Sequence, residues 1–289
     1  MAGTRSSKLF QRHIAIPVEH GAWVFLLSPL LTGFVVSRSF NLAGLLLVGA
    51  ALGGFFFRQP LTIAVKVLSK RRPKSDLGPA LFWMAVYGAI TAISSGVLLL
   101  SGHIYLLFLA VPALPVLIWN LWLVSRRAER RQPVVEIAGS GVLALTAPAA
   151  LWVSSGVYQP TGWILWGLFW LQGAASILYA YMRLEQRVWD KKPAQQVLVK
   201  TALNTFLMTT VNLFLVFGFS LANLVPGLLP LAFCVQWFET IWGAFNPAVQ
   251  VKPTQIGIRQ LIVSSIFTVV FILAYLFYFF GLPLAALAR

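Results

Sequence analysis

The most constraining feature of this sequence is a succession of apolar runs, each about 20 residues long, separated by short polar loops. In lipid the backbone must satisfy its own hydrogen bonds, so runs of about this length are typical of membrane-spanning helices. Of the 289 residues, 59% are hydrophobic and 10% are charged, whereas a soluble domain usually has about 25% charged residues. The sequence therefore predicts an all-α, polytopic membrane protein. We expect one transmembrane domain over residues 1–289, with a basic cytoplasmic segment at 1–18.

We predict about nine transmembrane helices, because Leu, Phe, Ala and Gly fill the apolar runs and strand-like alternation is absent. The predicted spans lie near residues 20–37, 42–63, 79–101, 103–124, 135–154, 161–182, 201–221, 224–244 and 259–281.

Lysine and arginine fall almost entirely on one side of these spans. The N-terminal segment and the loops after the even-numbered spans hold 19 of them, and the opposite side has only Arg38 and Arg289. Basic loops face the cytoplasm, so we predict the N-terminus inside and the C-terminus outside. The net charge of +15 then fits a surface of anionic membrane lipids rather than nucleic acid, because it is spread over short loops.

Polar side chains gather near the predicted cytoplasmic ends of the helices. An ionisable group within a span costs a few kcal/mol or more, so each needs a partner or a purpose. We predict that these residues line a basic pocket open to the cytoplasm, in which Arg58 and Glu239 neutralise each other. Snorkelling of Lys66, Arg183 and Arg187 to lipid headgroups is the alternative. The candidate binding residues are Glu19, His20, Arg58, Gln59, Lys66, Asn120, Arg183, Glu185, Arg187, Gln236 and Glu239.

Motifs of soluble enzymes are missing from the sequence. It has no glycine-rich phosphate loop, no paired-cysteine zinc spacing and no G-x-S-x-G elbow. Its single cysteine, Cys234, lies in an apolar run. We therefore predict neither a metal site nor a cofactor.

The segment from Ile16 to Trp23 reads IPVEHGAW and continues through Phe25 to Leu31 as FLLSPLL. This string resembles the signature of the YwiC-like family, a group of bacterial membrane proteins without an assigned activity. The resemblance implies a multi-pass protein of the bacterial cytoplasmic, or inner, membrane.

Nine helices with polar residues at the ends of the second and sixth are similar to the UbiA superfamily of intramembrane prenyltransferases. In that superfamily two Asp-rich motifs hold the Mg²⁺ that binds an isoprenoid diphosphate. The matching positions here are Arg58, Thr62 and Lys66, and then Arg183 and Arg187. Magnesium needs anionic oxygen ligands, so we do not expect metal-dependent prenyl transfer. Arginine binds phosphate directly through its planar fork, so a diphosphate site without metal is consistent with these residues.

Three functions stay open at this point, and whether the protein is an enzyme stays open with them. The first is a UbiA-like bundle that binds an isoprenoid diphosphate or another anionic lipid in the basic pocket. The second is a transporter of a small anion or a lipid. The third is a non-catalytic membrane subunit or assembly factor, which would have a protein partner.

Overall fold

The structure, a computed structural model, describes residues 12–16, 21–126 and 132–281, and helices are the only regular elements within them. Two 3-10 turns, Lys74–Asp76 and Ile104–Leu109, precede α4 and α5. The helices are α1 (Arg12–Ala15), α2 (Ala22–Ser37), α3 (Leu42–Leu68), α4 (Leu77–Leu100), α5 (Ala110–Ser125), α6 (Pro133–Ala144), α7 (Thr146–Ser155), α8 (Thr161–Gln186), α9 (Gln195–Leu221), α10 (Pro230–Phe245) and α11 (Pro253–Phe279).

Helical structure lies within every predicted span. Among the described residues, seven helical stretches are long and apolar enough to cross a membrane, and α2 is a shorter apolar helix. The seven are Leu42–Leu68, Lys74–Leu100, Ile104–Ser125, Pro133–Ser155, Thr161–Gln186, Gln195–Leu221 and Pro253–Phe279. The all-helical, multi-pass architecture is therefore confirmed, whereas the count of nine and the orientation stay predictions.

The fifth predicted span contains two helices instead of one. Leu145 separates α6 from α7, and Pro148 follows three residues later. A proline cannot donate to the carbonyl four residues before it, here that of Ala144. The Thr146 hydroxyl lies 2.8 Å from the carbonyl oxygen of Leu143 and 3.1 Å from that of Leu26 on α2. The Thr146 hydroxyl at the break between α6 and α7 therefore also contacts α2.

Helix α8 lies at the centre of the packing, in contact with α2, α6, α7, α9, α10 and α11. The largest apolar cluster joins it to α7, α10 and α11 through Trp152, Leu168, Phe233, Phe267 and Phe271, all at most 2% exposed. Helices α3 and α4 form a separate antiparallel pair, which meets the rest mainly through contacts of α3 with α5 and α7. The polar residues of α8 are consequently surrounded by other helices.

Candidate functional site on the buried face of helix α8

Five polar residues form a continuous line along one side of α8. They are Gln172, Ser176, Tyr179, Arg183 and Gln186, each at most 5% exposed. Their spacings of four, three, four and three residues place them on a single helical face. We call this set the α8 polar stripe. It runs from the middle of the helix to its C-terminal end, and our sequence analysis had selected only Arg183 from it as a site residue.

Arg183 holds the end of α10 against α8. Its Nη1 lies 2.9 Å from the carbonyl oxygen of Gly243, 2.6 Å from that of Asn246 and 2.9 Å from Oε1 of Gln186. The last carbonyls of a helix lack partners within that helix, so a buried guanidinium stabilises them. A side chain at Gly243 would overlap the ring of Tyr179. This close contact brings the two helices within reach of Arg183.

Two further basic residues bind backbone carbonyls at the same end. Nε of Arg187 donates to the carbonyl oxygen of Val251 at 3.2 Å, and Nζ of Lys192 donates to that of Phe245 at 3.0 Å. Glu185, in contrast, is exposed. The predicted site residues Arg183 and Arg187 are thus parts of the contact between α8 and the segment that joins α10 to α11.

Glu239 of α10 makes an ion pair with Arg259 of α11. Nε of Arg259 lies 2.5 Å from Oε1 of the carboxylate, and its Nη2 lies 2.9 Å from Oε2. The hydroxyl of Tyr179 also donates to Oε1 of Glu239. The sequence analysis had paired Glu239 with Arg58, and this pairing is corrected to Arg259. The two-point geometry is the strongest form of an arginine–carboxylate contact.

The guanidinium of Arg259 also stacks on an indole ring. Its Cζ lies 3.5 Å from the centre of the ring of Trp242, which also has Arg183 at 5.4 Å. The side chain of Arg259 is 41% exposed, whereas that of Glu239 is 10% exposed. Arg259 therefore combines a fixed orientation with access from outside the protein.

Deeper along the stripe, three glutamines from three helices meet. Nε2 of Gln260 donates to Oγ of Ser176 at 2.7 Å and to Oε1 of Gln236 at 2.8 Å. Nε2 of Gln172 lies 3.3 Å from the same Oε1 of Gln236. All four side chains are at least nine-tenths buried. This uncharged glutamine cluster places the predicted residue Gln236 inside the bundle, away from the basic end.

A small cavity of about 20 Å³, with room for about one water molecule, lies next to the glutamine cluster, between α2, α6, α8 and α11. Apolar and uncharged polar side chains line it together. The polar ones are Ser28, Ser140, Gln172, Ser264 and Thr268, and the aromatic ones are Phe25, Phe169 and Phe267.

The remaining predicted site residues lie on other helices. Arg58 is exposed on α3, Lys66 is half-buried near its end, and Nε2 of Gln59 donates to the carbonyl oxygen of His13 at 2.9 Å. Asn120 is half-buried on α5. Helices α8 and α10 are not among the main packing partners of α3. A single pocket that joins the residues of α3 and α5 to those of α8 and α10 stays a prediction. Glu19 and His20 lie outside the described residues.

Within residues 12–16, 21–126 and 132–281, no group of three or more His, Cys, Asp or Glu side chains could hold a metal ion.

The YwiC-like protein family matches residues 16–151. This match confirms the resemblance suggested by the opening string, over just under half of the chain. No curated protein and no solved structure matches the chain, so the likeness to the UbiA superfamily stays a prediction. The matched segment includes α2 and α6, which form one side of the cavity, whereas the α8 polar stripe lies beyond it.

Proposed function

We propose that this chain, which is YwiC-like over residues 16–151, binds the phosphate of an anionic lipid such as an isoprenoid diphosphate. In this proposal it is a nine-span, UbiA-like bundle in the bacterial cytoplasmic membrane, with its N-terminus in the cytoplasm. The binding site lies where α8 and α10 end and α11 begins, on the side that has most of the lysines and arginines. That charge asymmetry supports the orientation.

The observation that carries the proposal is the geometry of Arg259. Glu239 accepts from Nε and Nη2 of its guanidinium, so the edge with Nη1 is turned away from the carboxylate. The ring of Trp242 supports the same group from its face. An arginine already held in one orientation loses little side-chain entropy when it binds a phosphate. Its 41% exposed side chain leaves room for a headgroup to approach.

Further positive charge lies at the same end of the bundle as Arg259. Lys191 and Lys192 follow α8, Lys252 caps α11, and all three are exposed. Each lysine near a membrane surface adds about 1 kcal/mol of attraction to anionic lipid. This supports a phosphate ligand and does not require the magnesium of the UbiA superfamily.

The test compares the lipids that co-purify with three forms of the protein. The double variant Glu239→Gln/Arg259→Gln removes the charged fork, leaves no unpaired carboxylate and keeps an acceptor for Tyr179. Arg38→Gln is the matched control, because Arg38 lies at the other end of the bundle, at the end of α2. We expect mass spectrometry to show one anionic lipid enriched in the wild type and in the control. Its enrichment should fall about tenfold in the double variant, as for the loss of one charged hydrogen bond.

Two results contradict the proposal. One is equal enrichment in the double variant and the control. The other is a wild-type lipid profile that matches the bulk membrane, which would favour a non-catalytic subunit with a protein partner.

A second candidate function, transport of a small anion or lipid, is favoured by the α8 polar stripe. Intramembrane polar residues that face a bundle interior often mark a substrate pathway. The stripe would give a solute a polar route from the middle of α8 to its C-terminal end. Uptake of a labelled anion into vesicles with the purified protein tests this candidate. Uptake equal to that of protein-free vesicles would exclude it for that solute.

A further inference from the structure

A second cavity lies at the end of the bundle opposite to Arg259. It is formed by the end of α2, the beginning of α8, the segment that joins α9 to α10, and the end of α11. Its volume is about 310 Å³, against about 20 Å³ for the cavity beside the glutamine cluster. Pockets that bind small molecules have volumes of about 300–1,000 Å³. This second cavity therefore has room for a small organic group.

Five uncharged polar side chains meet at this cavity. None of the five side chains makes a hydrogen bond to another residue within the part of the chain that the structure describes. They are Gln159, Thr161, Asn223, Tyr275 and Tyr278. Their amide and hydroxyl groups are thus available to a molecule inside the cavity.

Tyr275 distinguishes this arrangement from an ordinary band of aromatic residues at a membrane surface. Tyrosines at the ends of spanning helices commonly place their hydroxyl groups among lipid headgroups, and Tyr278, which is 65% exposed, fits that explanation. Tyr275 is only 9% exposed, and its ring contacts those of Phe271 and Phe279. A buried phenol hydroxyl usually has a hydrogen-bond partner. The cavity that Tyr275 lines is the place where such a partner can bind.

The lining restricts the chemistry of the ligand. No Asp, Glu, Lys, Arg or His residue lines the second cavity, so an ionised group would lose its hydration there without a counter-charge. Amide and hydroxyl side chains both donate and accept hydrogen bonds, and each hydroxyl group of a ligand does the same. Val36, Ile164 and Phe279 add apolar walls, which suit C–H groups. A sugar combines several hydroxyl groups with C–H faces and has no charge.

We propose that the second cavity binds an uncharged sugar, supplied as the headgroup of a glycolipid or free in solution. Thr161, Asn223 and Tyr278 are exposed, so they mark the side from which the sugar enters, and Tyr275 lies at the buried side. This site goes beyond the phosphate site at Arg259, because it lies at the other end of the bundle and has no charged residue in its lining.

The experiment uses the full-length protein, purified without sugar-based detergents and placed in phosphatidylcholine nanodiscs. The probe is a glucosyl diacylglycerol with a photoreactive diazirine next to the headgroup. In the matched probe every glucose hydroxyl is methylated, which removes all donors and keeps the acceptors. We expect mass spectrometry to find the glucolipid cross-linked to residues that line the second cavity. Labelling by the methylated probe should be at least about fivefold lower, as for the loss of one neutral hydrogen bond.

Free glucose at millimolar concentration distinguishes the two sources of the sugar. Loss of glucolipid labelling in its presence would assign the cavity to a soluble sugar. Labelling that persists would assign it to a lipid-linked sugar, and either result supports the proposal.

Two variants and one control locate the effect. Tyr275→Phe removes the buried hydroxyl and keeps the ring. Asn223→Gly removes the amide and keeps the backbone, because Asn223 has a φ of +55°, which glycine adopts readily. Each variant should lower glucolipid labelling about fivefold. Tyr87→Phe is the matched control, since it removes a tyrosine hydroxyl from α4, outside the cavity lining.

The proposal is overturned if the two probes label the cavity residues equally, which is the result expected for a cavity that holds only water. It is also overturned if neither variant lowers labelling, or if the labelled residues lie on helices that do not line the second cavity. Since no charged residue is altered, these results are independent of the lipid enrichment expected for Arg259.

Discussion

Two membrane-spanning stretches of this protein have the same mean hydropathy and very different surroundings. In Lys74–Leu100, which contains α4, 11% of the most apolar 18-residue window is buried by protein, against 56% in Pro133–Ser155, which contains α6 and α7. We call α3, α4 and α5 the peripheral region, and α2, α6, α7, α8, α10 and α11 the central region. The comparison shows that apolar character predicts insertion into lipid without telling which helices pack against protein.

Residue size explains part of this difference. Small residues allow backbones to approach closely, and close packing replaces hydrophobic burial as the source of attraction between helices in lipid. A side chain at Gly33 of α2 would lie 2.6 Å from Cβ of Ala150 on α7, and one at Gly141 of α6 would lie 2.7 Å from Nε1 of Trp170. In α4, Gly78 and Gly96 have nothing within 4 Å of the same position, and the close contact in the peripheral region, Gly53 of α3 at 2.6 Å from Oγ1 of Thr91, lies inside the α3–α4 pair.

Removal of a buried charge from the central region should have the largest effect. We expect Arg183→Met to lower the free energy of unfolding by about 3 kcal/mol, because the terminal carbonyls of α10 lose a charged donor. The matched change in the peripheral region is Arg126→Met, at an exposed residue whose Cζ lies 5.8 Å from the centre of the Trp122 ring. It should cost no more than about 1 kcal/mol. Denaturant unfolding in detergent, followed by tryptophan fluorescence, measures both, and equal costs would break the comparison.

Adding one methyl group should separate the two regions by a smaller amount. Gly33→Ala places a carbon against α7, where both backbone and side-chain atoms obstruct it, and should cost about 2 kcal/mol. Gly96→Ala in α4 meets nothing and should be neutral or slightly stabilising, since alanine favours a helix by about 1 kcal/mol. Thermal unfolding in detergent compares the two. A stable Gly33→Ala protein would show that α2 and α7 can separate without cost.

The smallest effect concerns one tryptophan hydrogen bond. Nε1 of Trp170 on α8 donates to the carbonyl oxygen of Ile137 on α6 at 2.8 Å. Trp170→Phe should therefore cost about 1 kcal/mol. Trp122→Phe is the peripheral counterpart, at a residue that is 54% exposed, and should change stability less. The same unfolding measurements compare the two variants. A larger loss of stability for Trp122→Phe than for Trp170→Phe would contradict the expected difference between the central and peripheral regions.

The sequence located the charged residues of the site better than it located their partners. Glu239 and Arg183 stood out because charges are costly inside a span. Arg259 was placed at the first position of the ninth predicted span, 259–281, and was counted among the basic residues of the cytoplasmic side. In the structure α11 begins at Pro253, where proline suits the first helical position, so Arg259 lies inside the helix and reaches Glu239.

The glutamine cluster was largely missed for a different reason. Gln172, Ser176 and Gln260 are uncharged and lie in apolar surroundings. The free-energy cost of an uncharged polar side chain in lipid is smaller than that of an ion, so these residues were not selected. The spacing from Gln172 to Gln186 along α8 was the signal that could have revealed the stripe. Their contact with Gln236 was not predictable, because it depends on how α8, α10 and α11 are placed side by side.

By itself the sequence determined that this is a helical, multi-pass membrane protein, and it predicted which loops share one side. Both follow from local properties, namely the length of each apolar run and the position of each basic residue. The tertiary structure decided which helices are central, that Glu239 pairs with Arg259, and that Gln172 faces a cavity. Lipid is as apolar as a leucine-rich helix face, so hydropathy cannot predict whether an apolar helix face contacts lipid or another helix. Which helices contact each other depends on close packing at small residues and on hydrogen bonds between polar groups of different helices.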